Sequence, residues 1–477
     1  MRVTHTVAQV RAAEDALRAT LPPGTLMQRA ATGLAVETAR FLAGRVYGAR
    51  VHLLVGGGDN GADALWAGAL LGGRGAQVTA TVVGTQRDEA ALAAFARVGG
   101  RLVPHPPRDP DAVLDGLVGI GGTGPLRDQA AELVRDLDPS RTIAVDVPSG
   151  VDADTGVVAG EAVRSVLTVT FGTLKPGLLV GAGRDHAGEV QLVDIGLGPW
   201  LPEPTVRVVE GSDVPGLPEG SAHDKYTRGV VGVVAGSPSY TGAAVLAVGG
   251  AVRAGAGMVR FAGATHSAEQ VRTRWPEAVV TEAEGTAVVD AGRVQAWVVG
   301  PGLGTGATAA EAVEAVLASG VPVLVDADAL TVLAQHPQWV RDRSAPTVLT
   351  PHDREAARFG REVGPDRLAA ARALAEDLGC TVLLKGAATV VTGPGGTWVN
   401  ATGTTHLATA GTGDVLAGGI GTLLARGLEL GLAAAVGAHL HGLAGQLSGG
   451  AGTTSASRVL EAWPDAVALA RTGRIRE

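Results

Sequence analysis

Cysteine is almost absent. The only one among the 477 residues is Cys380, which excludes an internal disulfide and fits a reducing compartment. Aromatic residues make up only 3% of the chain, so Ala, Val and Leu must fill its interior. Positive charge is in deficit: 39 Lys and Arg against 47 Asp and Glu leave a formal net charge of −8. That balance argues against nucleic acid as the main partner. It leaves room for a small phosphorylated molecule, which a few local amides can hold. No run of about 18 uninterrupted apolar residues occurs, so no membrane span is expected. The most apolar late stretch, 432–447, is broken by His439 and His441. The opening MRVTHTVAQVRAAEDAL spreads charges along its length and lacks the apolar centre of a secretory signal. A cytoplasmic homo-oligomer is expected, with neither nucleic acid nor membrane as partner.

Hydrophobic residues are abundant at 46%, and Gly is very frequent at 71 residues, which implies large cores and many tight turns. The length suggests two or three domains. Short β-rich runs at 51–55, 78–83, 113–118, 142–147 and 166–171 are separated, in the earlier part, by Ala/Leu-rich helical runs. Alternation of this kind implies parallel pairing in a doubly wound sheet. The first 43 residues read as helical. Pro199, Pro202, Pro204, Pro215 and Pro218 mark a break, with one short strand at 206–209. The division is therefore 1–205, a linker at 206–219, and 220–477. The second part repeats the alternation, with strands at 229–235, 258–262, 294–299, 321–325, 347–350 and 381–384, and a long helix after Asp414. Ligands in such sheets bind beyond the carboxyl ends of the strands.

Three motifs of the first part lie at those ends. Strand 51–55 runs into Gly56-Gly57-Gly58-Asp59-Asn60-Gly61-Ala62-Asp63, a glycine loop that suits a phosphate or ribose. The spacing is not GxGxxG, so a standard dinucleotide fingerprint is not supported. Asp59, Asn60 and Asp63 could equally form an Asx-capped turn. Asp115 is followed by Gly119-Ile120-Gly121-Gly122-Thr123-Gly124-Pro125-Leu126-Arg127, either an amide cradle or a flexible loop. Asp146-Val147-Pro148-Ser149-Gly150 ends another strand. Oxygens of Asn60, Asp115 and Ser149 could ligate a hard monovalent cation.

The second part centres on Ala410-Gly411-Thr412-Gly413-Asp414. Amides of Gly411, Thr412 and Gly413 can point at one anion, helped by the positive end of the following helix. Asp414 repels a phosphate, so it makes sense as a base that deprotonates a hydroxyl attacking that phosphate. The alternative is that it only caps the helix. Four further motifs accompany it: His223–Gly229 (HDKYTRG), Gly300–Gly304 (GPGLG), Thr350–Glu355 (TPHDRE) and Lys385–Thr389 (KGAAT). Each alone has a plain structural reading: a solvated edge, a tight turn, a loop histidine, a surface lysine beside a turn.

GGGDNGADAL, the DxxxGxGxxGPLR pattern from Asp115 and DVPSG together resemble the NAD(P)H-hydrate epimerases, and the match extends to Thr173–Gly177 and 188–196. Asp59 stands where that family has Asn, and Ala62 and Ala64 where it has Gly. The motif set of residues 220–477 resembles the NAD(P)H-hydrate dehydratases, a ribokinase-like family. The implied fold is α/β: two three-layer α/β units, an N-terminal Rossmann-like doubly wound sheet and a C-terminal ribokinase-like domain. The implied activity is bifunctional repair of hydrated NADH and NADPH, by epimerisation and then dehydration of the S form. ADP is the implied co-substrate, with ATP the alternative, and Mg2+ accompanies it.

By the same resemblance, Asp59, Asn60, Gly61, Ala62 and Asp63 bind the hydrated dinucleotide, as do Gly119, Ile120, Gly121, Gly122, Thr123, Gly124, Pro125 and Asp146. Asn60, Asp115 and Ser149 hold K+, and Asp63 is the candidate for proton transfer. Ala243, Gly302, His352 and Asp414 line the substrate of the second unit. Lys385, Gly386, Ala387, Ala388 and Thr389 hold the nucleotide with Gly411, Thr412 and Gly413. Two rivals stay open. One is a ribokinase-like kinase of a vitamin precursor. The other treats the first unit as a non-catalytic nucleotide-binding module, which the extra charge of Asp59 favours.

Overall fold

The structure is a computed structural model that describes residues 1–84, 88–216, 226–450 and 452–474. His223, Asp224 and Lys225 of the HDKYTRG motif lie outside the described residues. Two compact units divide the chain, 3–206 and 207–477, the latter joined by residues 1–2.

The N-terminal unit holds a seven-stranded sheet. Its order is Arg101–Leu102, Gln77–Val82, Arg50–Val55, Ala112–Gly116, Thr142–Val145, Leu167–Phe171, Glu189–Val193, and every pairing is parallel. The chain direction of winding reverses between Arg50–Val55 and Ala112–Gly116, the switch point where a crevice opens in doubly wound sheets. Leu53, Leu114, Ile143 and Val169 from these strands are buried against Leu34, Ala64 and Leu71 from the helices. The edge strands Arg101–Leu102 and Glu189–Val193 escape the sequence reading, the first because two exposed residues carry no apolar signal. The helical reading of the first 43 residues resolves into Val7–Arg18 and Thr25–Phe41.

The C-terminal unit is built on a sheet in the order Val206–Val208, Gly396–Val399, Val390–Gly393, Thr381–Leu384, Thr347–Leu349, Val323–Val325, Ala296–Val299, Val230–Val234, Met258–Gly263, Val279–Glu282. Its pairings are parallel except those of Val390–Gly393, which runs antiparallel to both neighbours. Residues 206–208 thus extend a sheet, and of the linker reading residues 209–216, the remainder among the described residues, hold no strand.

Glycine does a second job here besides turning. Helices Thr241–Arg253 and Thr412–Ala425 pack so closely that a Cβ at Gly418 would lie 2.0 Å from the Ala247 carbonyl oxygen, and one at Gly250 2.3 Å from that of Val415. Gly419 faces Trp463 and Gly421 faces Val298 at similarly short range. This close approach fixes the start of Thr412–Ala425 at the strand ends. Gly418→Ala should therefore push the two backbones apart and cost about 1–3 kcal/mol of stability. Thermal unfolding checks this, and an unchanged midpoint would contradict the packing described.

Candidate functional site

In the N-terminal unit a cavity of about 910 Å3 opens at the switch point. Asp59, Asn60 and Asp63 line it together with Gly119, Ile120, Gly121, Gly122 and Asp146. These residues do not sit on a free loop. Helix Asp59–Gly73 begins at Asp59, with Gly58 extended at its cap, so residues 59–63 form a first helical turn. An acidic residue is favoured there by the helix dipole, which gives Asp59 a structural reason to be present. Two glycines make the geometry possible: a Cβ at Gly56 would lie 1.8 Å from the Leu117 carbonyl oxygen, and one at Gly61 2.2 Å from that of Gly56. Of the residues expected to bind the hydrated dinucleotide, Gly61, Ala62, Thr123, Gly124 and Pro125 stay out of the cavity lining. Gly61 instead faces the backbone of Gly56, and Pro125 lies against Gly160.

Asp63 is buried and its Oδ1 has no hydrogen-bond partner. Burial pushes its carboxyl well above the ordinary carboxylate range, and the nearby charges of Asp146, Asp59 and Glu14 push the same way. Asp146 adopts φ +66, a conformation that L side chains rarely take. Its Oδ1 accepts from Lys175 Nζ at 2.5 Å, from Thr170 Oγ1 at 2.9 Å and from the Phe171 amide at 3.2 Å. Lys175 itself is 1% exposed. Asp115 and Ser149 lie beneath the cavity: Ser149 Oγ donates to Asp115 Oδ1 at 2.6 Å and the Ser149 amide to Oδ2 at 2.8 Å. Asn60 Nδ2 donates to the Val145 carbonyl at 2.6 Å, and its Oδ1 packs against Gly119. Burial raises Asp115 to about 6, against the opposing pull of these uncharged donors.

Glu14 and Arg11 of helix Val7–Arg18 also line this cavity, and the sequence reading missed both. Burial raises the Glu14 carboxyl, countered by Arg18 and Lys175. No local signal marks Glu14, because a charged residue on a helix reads as solvated.

In the C-terminal unit, helix Thr412–Ala425 starts from Gly411, whose φ of +88 is left-handed and which no side chain caps. Asp414 is in the first turn but does not cap it, so the capping alternative falls. Thr412 Oγ1 donates to the carbonyls of Leu407 and Thr409 at 2.8 and 3.0 Å, tying the preceding turn down. The Thr412 amide donates to the Thr409 carbonyl at 3.5 Å, and the positive end of the helix dipole at this first turn favours an anion. Lys385 reaches this turn from the end of Thr381–Leu384: a Cβ at Gly413 would lie 3.6 Å from its Nζ. Burial first and the charge of Asp326 second raise Asp414 to about 7, while Lys385 pulls it down.

The other predicted residues of this unit lie at strand ends and helix starts. Ala243, in the first turn of Thr241–Arg253, touches Gly302: its Cβ is 2.7 Å from where Gly302 would carry one. His352 caps helix Asp353–Ala357, its Nδ1 accepting from the Glu355 amide at 3.2 Å, with its ring half exposed. Gly386 and Ala387 are exposed, and Ala388 and Thr389 are buried. Sequence reading missed Asp326, Asp328 and the exposed Tyr240 beside Gly302. Asp326 had a usable signal: two acids in Asp326-Ala327-Asp328 directly follow a buried strand, as Asp146 does in the first unit.

A family model described as NAD(P)H-hydrate dehydratase matches residues 231–461, and one described as YjeF-related protein N-terminus matches residues 23–177. The bifunctional NAD(P)H-hydrate repair enzyme of Mycobacterium leprae (strain TN) is 51% identical over 405 residues, covering 83% of each chain. That of Mycobacterium tuberculosis (strain ATCC 25618 / H37Rv) is 50% identical over 406 residues, with the same coverage. A ribokinase-like superfamily protein from Enterococcus faecalis V583 matches with a TM-score of 0.50 and 26% identity, over 56% of this chain and 97% of its own. Among the described residues no helix is long and apolar enough to cross a membrane. Both halves of the chain are thus accounted for by one architecture, and the chain belongs to the bifunctional NAD(P)H-hydrate repair enzymes.

Proposed function

We propose that the N-terminal unit interconverts the R and S forms of hydrated NADH and NADPH, and that the C-terminal unit dehydrates the S form at the expense of ADP through a phosphorylated intermediate. The observation that carries this reading is Asp414: a half-buried carboxylate in the first turn of a helix that no side chain caps, with the ammonium of Lys385 at the same turn. Hydroxide is a poor leaving group from the hydrated ring. Asp414 takes the proton of that hydroxyl, whose oxygen bonds to the terminal phosphorus of ADP as the bridging P–O bond breaks and AMP departs. The amides of the Gly411–Gly413 turn and Lys385 steady the charge that develops on the phosphoryl oxygens. The C–O bond then breaks, orthophosphate leaves, and loss of the neighbouring ring proton restores the double bond of NAD(P)H. Mg2+, when bound, would be held by the nucleotide phosphates with one or two carboxylates beside them, and would offset charge on the phosphoryl oxygens.

A base near pH 7 must be deprotonated to act. The kcat/KM for the hydrate is therefore expected to rise with pH through about 7 and level off above it, in a pH–rate profile at saturating ADP. A limb near the ordinary carboxylate range would contradict the environment described for Asp414.

In the epimerase unit Asp63, whose carboxyl burial and the charges of Asp146, Asp59 and Glu14 push well above the ordinary carboxylate range, gives a proton during ring opening and takes it back on reclosure at the other face of C6. Asn60, Asp115 and Ser149 fit a potassium ion: Asp115 is wholly buried and meets only uncharged donors. Such an ion supplies the positive charge that this carboxylate lacks. Epimerisation should fall when K+ is replaced by tetramethylammonium, measured as exchange between the R and S hydrates by chromatography. Equal rates in the two salts would remove the ion from the reading. A cytoplasmic location fits a buried Cys380, whose thiol burial pushes up to about 12 and so keeps unreactive.

The direct test of the whole is absorbance at 340 nm. Purified S hydrate should regain it only with nucleotide present, faster with ADP than with ATP. The R hydrate should do so only when the N-terminal unit is active. A phosphorylated product that accumulates without NAD(P)H would favour the kinase alternative.

A further inference from the structure

We propose that Asp326 is a positioning residue of the phosphoryl-transfer site: its carboxylate holds the Lys385 ammonium where the nucleotide's phosphate binds and away from Asp414, leaving Asp414 free to accept a proton. This rests on the reading of Asp414 and Lys385 given above.

The geometry is specific. Asp326 follows strand Val323–Val325 and is 1% exposed. Its Oδ1 accepts from Lys385 Nζ at 2.7 Å and from Thr350 Oγ1 at 2.8 Å, so three strand ends meet on one oxygen. Its Oδ2 has no such donor and points to the helix start, 3.9 Å from where Gly413 would carry a Cβ. The next residue, Ala327, has φ +51 and ψ −120, a conformation that L residues avoid, and the carboxylate is delivered by that strained turn. Strain of this kind persists where the surroundings demand it, and here a fixed carboxylate is what it yields.

Lys385 has a choice of anions. Asp326 is the near one, Glu355 is 3.8 Å away, and Asp414 is close enough to act on it electrostatically. Asp326, Asp328 and Lys385 face Asp414, and His441, held neutral by burial, approaches the Thr412 backbone behind it. Without Asp326 the ammonium turns to Asp414, pairs with it and removes its basicity. With Asp326 in place, the lysine's charge is shared between a fixed carboxylate and the incoming phosphate, and Asp414 stays a base. The same carboxylate, being negative, also raises Asp414 directly. Both effects have one sign.

The test is the pH dependence of dehydration at saturating ADP for the full-length chain. Asp326→Asn is expected to move the low-pH limb down by about one unit or more and to lower the plateau rate, since a weaker base accepts the proton less readily. Lys385→Met is expected to move the limb up, because Asp326 then acts on Asp414 unopposed. The double variant should return the limb towards that of the parent chain. A folded Asp326→Asn with its limb unmoved, a double variant that shifts as far as Asp326→Asn alone, or a Lys385→Met limb that falls or stays would each overturn the proposal. Asp414→Asn separates the two claims. If it turns over normally the reading of the base fails; if it is inactive while the Asp326 variants behave like the parent, only the positioning role fails.

Discussion

Asp414→Asn is expected to lower the dehydration rate by about 10²–10⁴-fold, the usual worth of a positioned base, while ADP affinity changes little. Asn keeps the size and the polar edge of Asp, and Asp414 caps nothing, so helix Thr412–Ala425 should form as before. The amides of its first turn and the Lys385 ammonium remain to hold the nucleotide. What disappears is the proton acceptor. The loss should fall on kcat and on kcat/KM alike, because the proton moves only as the phosphoryl group does. Rates at 340 nm and ADP titration by calorimetry measure the two halves of the prediction. Full turnover in the variant would remove Asp414 from the chemistry; loss of both turnover and ADP binding would mean that its role is structural.

Asp63→Asn should separate function from stability in the other unit. Epimerisation is expected to fall by about 10²–10⁴-fold, while dehydration of pure S hydrate stays unchanged. The variant should also be the more stable protein at neutral pH. Asp63 is buried with an unpartnered oxygen and faces Asp146, Asp59 and Glu14. Its folded-state pKa is raised, so the folded chain binds that proton more tightly than the unfolded one does. The penalty is small below the ordinary carboxylate pKa and grows as pH rises towards the folded value. Asn removes this penalty, so the gain in melting temperature should be visible at pH 7 and shrink towards about pH 4. A less stable variant with normal epimerisation would mark Asp63 as a structural residue. Functional sites often hold groups that the fold would be more stable without.

Much of this was legible in the amino acids, for physical reasons. Parallel strands buried on both faces read as apolar runs, so the inner strands of both sheets fall where the pattern puts them. The elements that escaped are the edge strands Arg101–Leu102, Glu189–Val193 and Val279–Glu282, and the inner hairpin Val390–Gly393/Gly396–Val399. The edge strands meet solvent, and the hairpin strands, four residues each, turn too soon to show a period. Site residues at strand ends were also legible, because glycines and acids there break an apolar run. Helix starts were placed late: residues 59–63 read as part of a glycine loop, and the long helix of the second unit as beginning after Asp414 rather than at Thr412, since Gly-rich first turns look like loops. Partners brought from afar were not legible. Glu14 reaches the Asp63 cavity from a helix far earlier in the chain, and Asp326 meets Lys385 from another strand. Only tertiary structure joins them.

The central claim is that the substrate's own hydroxyl oxygen leaves as part of a phosphate. It is tested most directly with hydrated NADH carrying 18O at the C6 hydroxyl, turned over with unlabelled ADP in unlabelled water. The account predicts one 18O atom in each orthophosphate released, matched one for one by NADH and AMP. Label found in water, with unlabelled orthophosphate and full recovery of NADH, would contradict it.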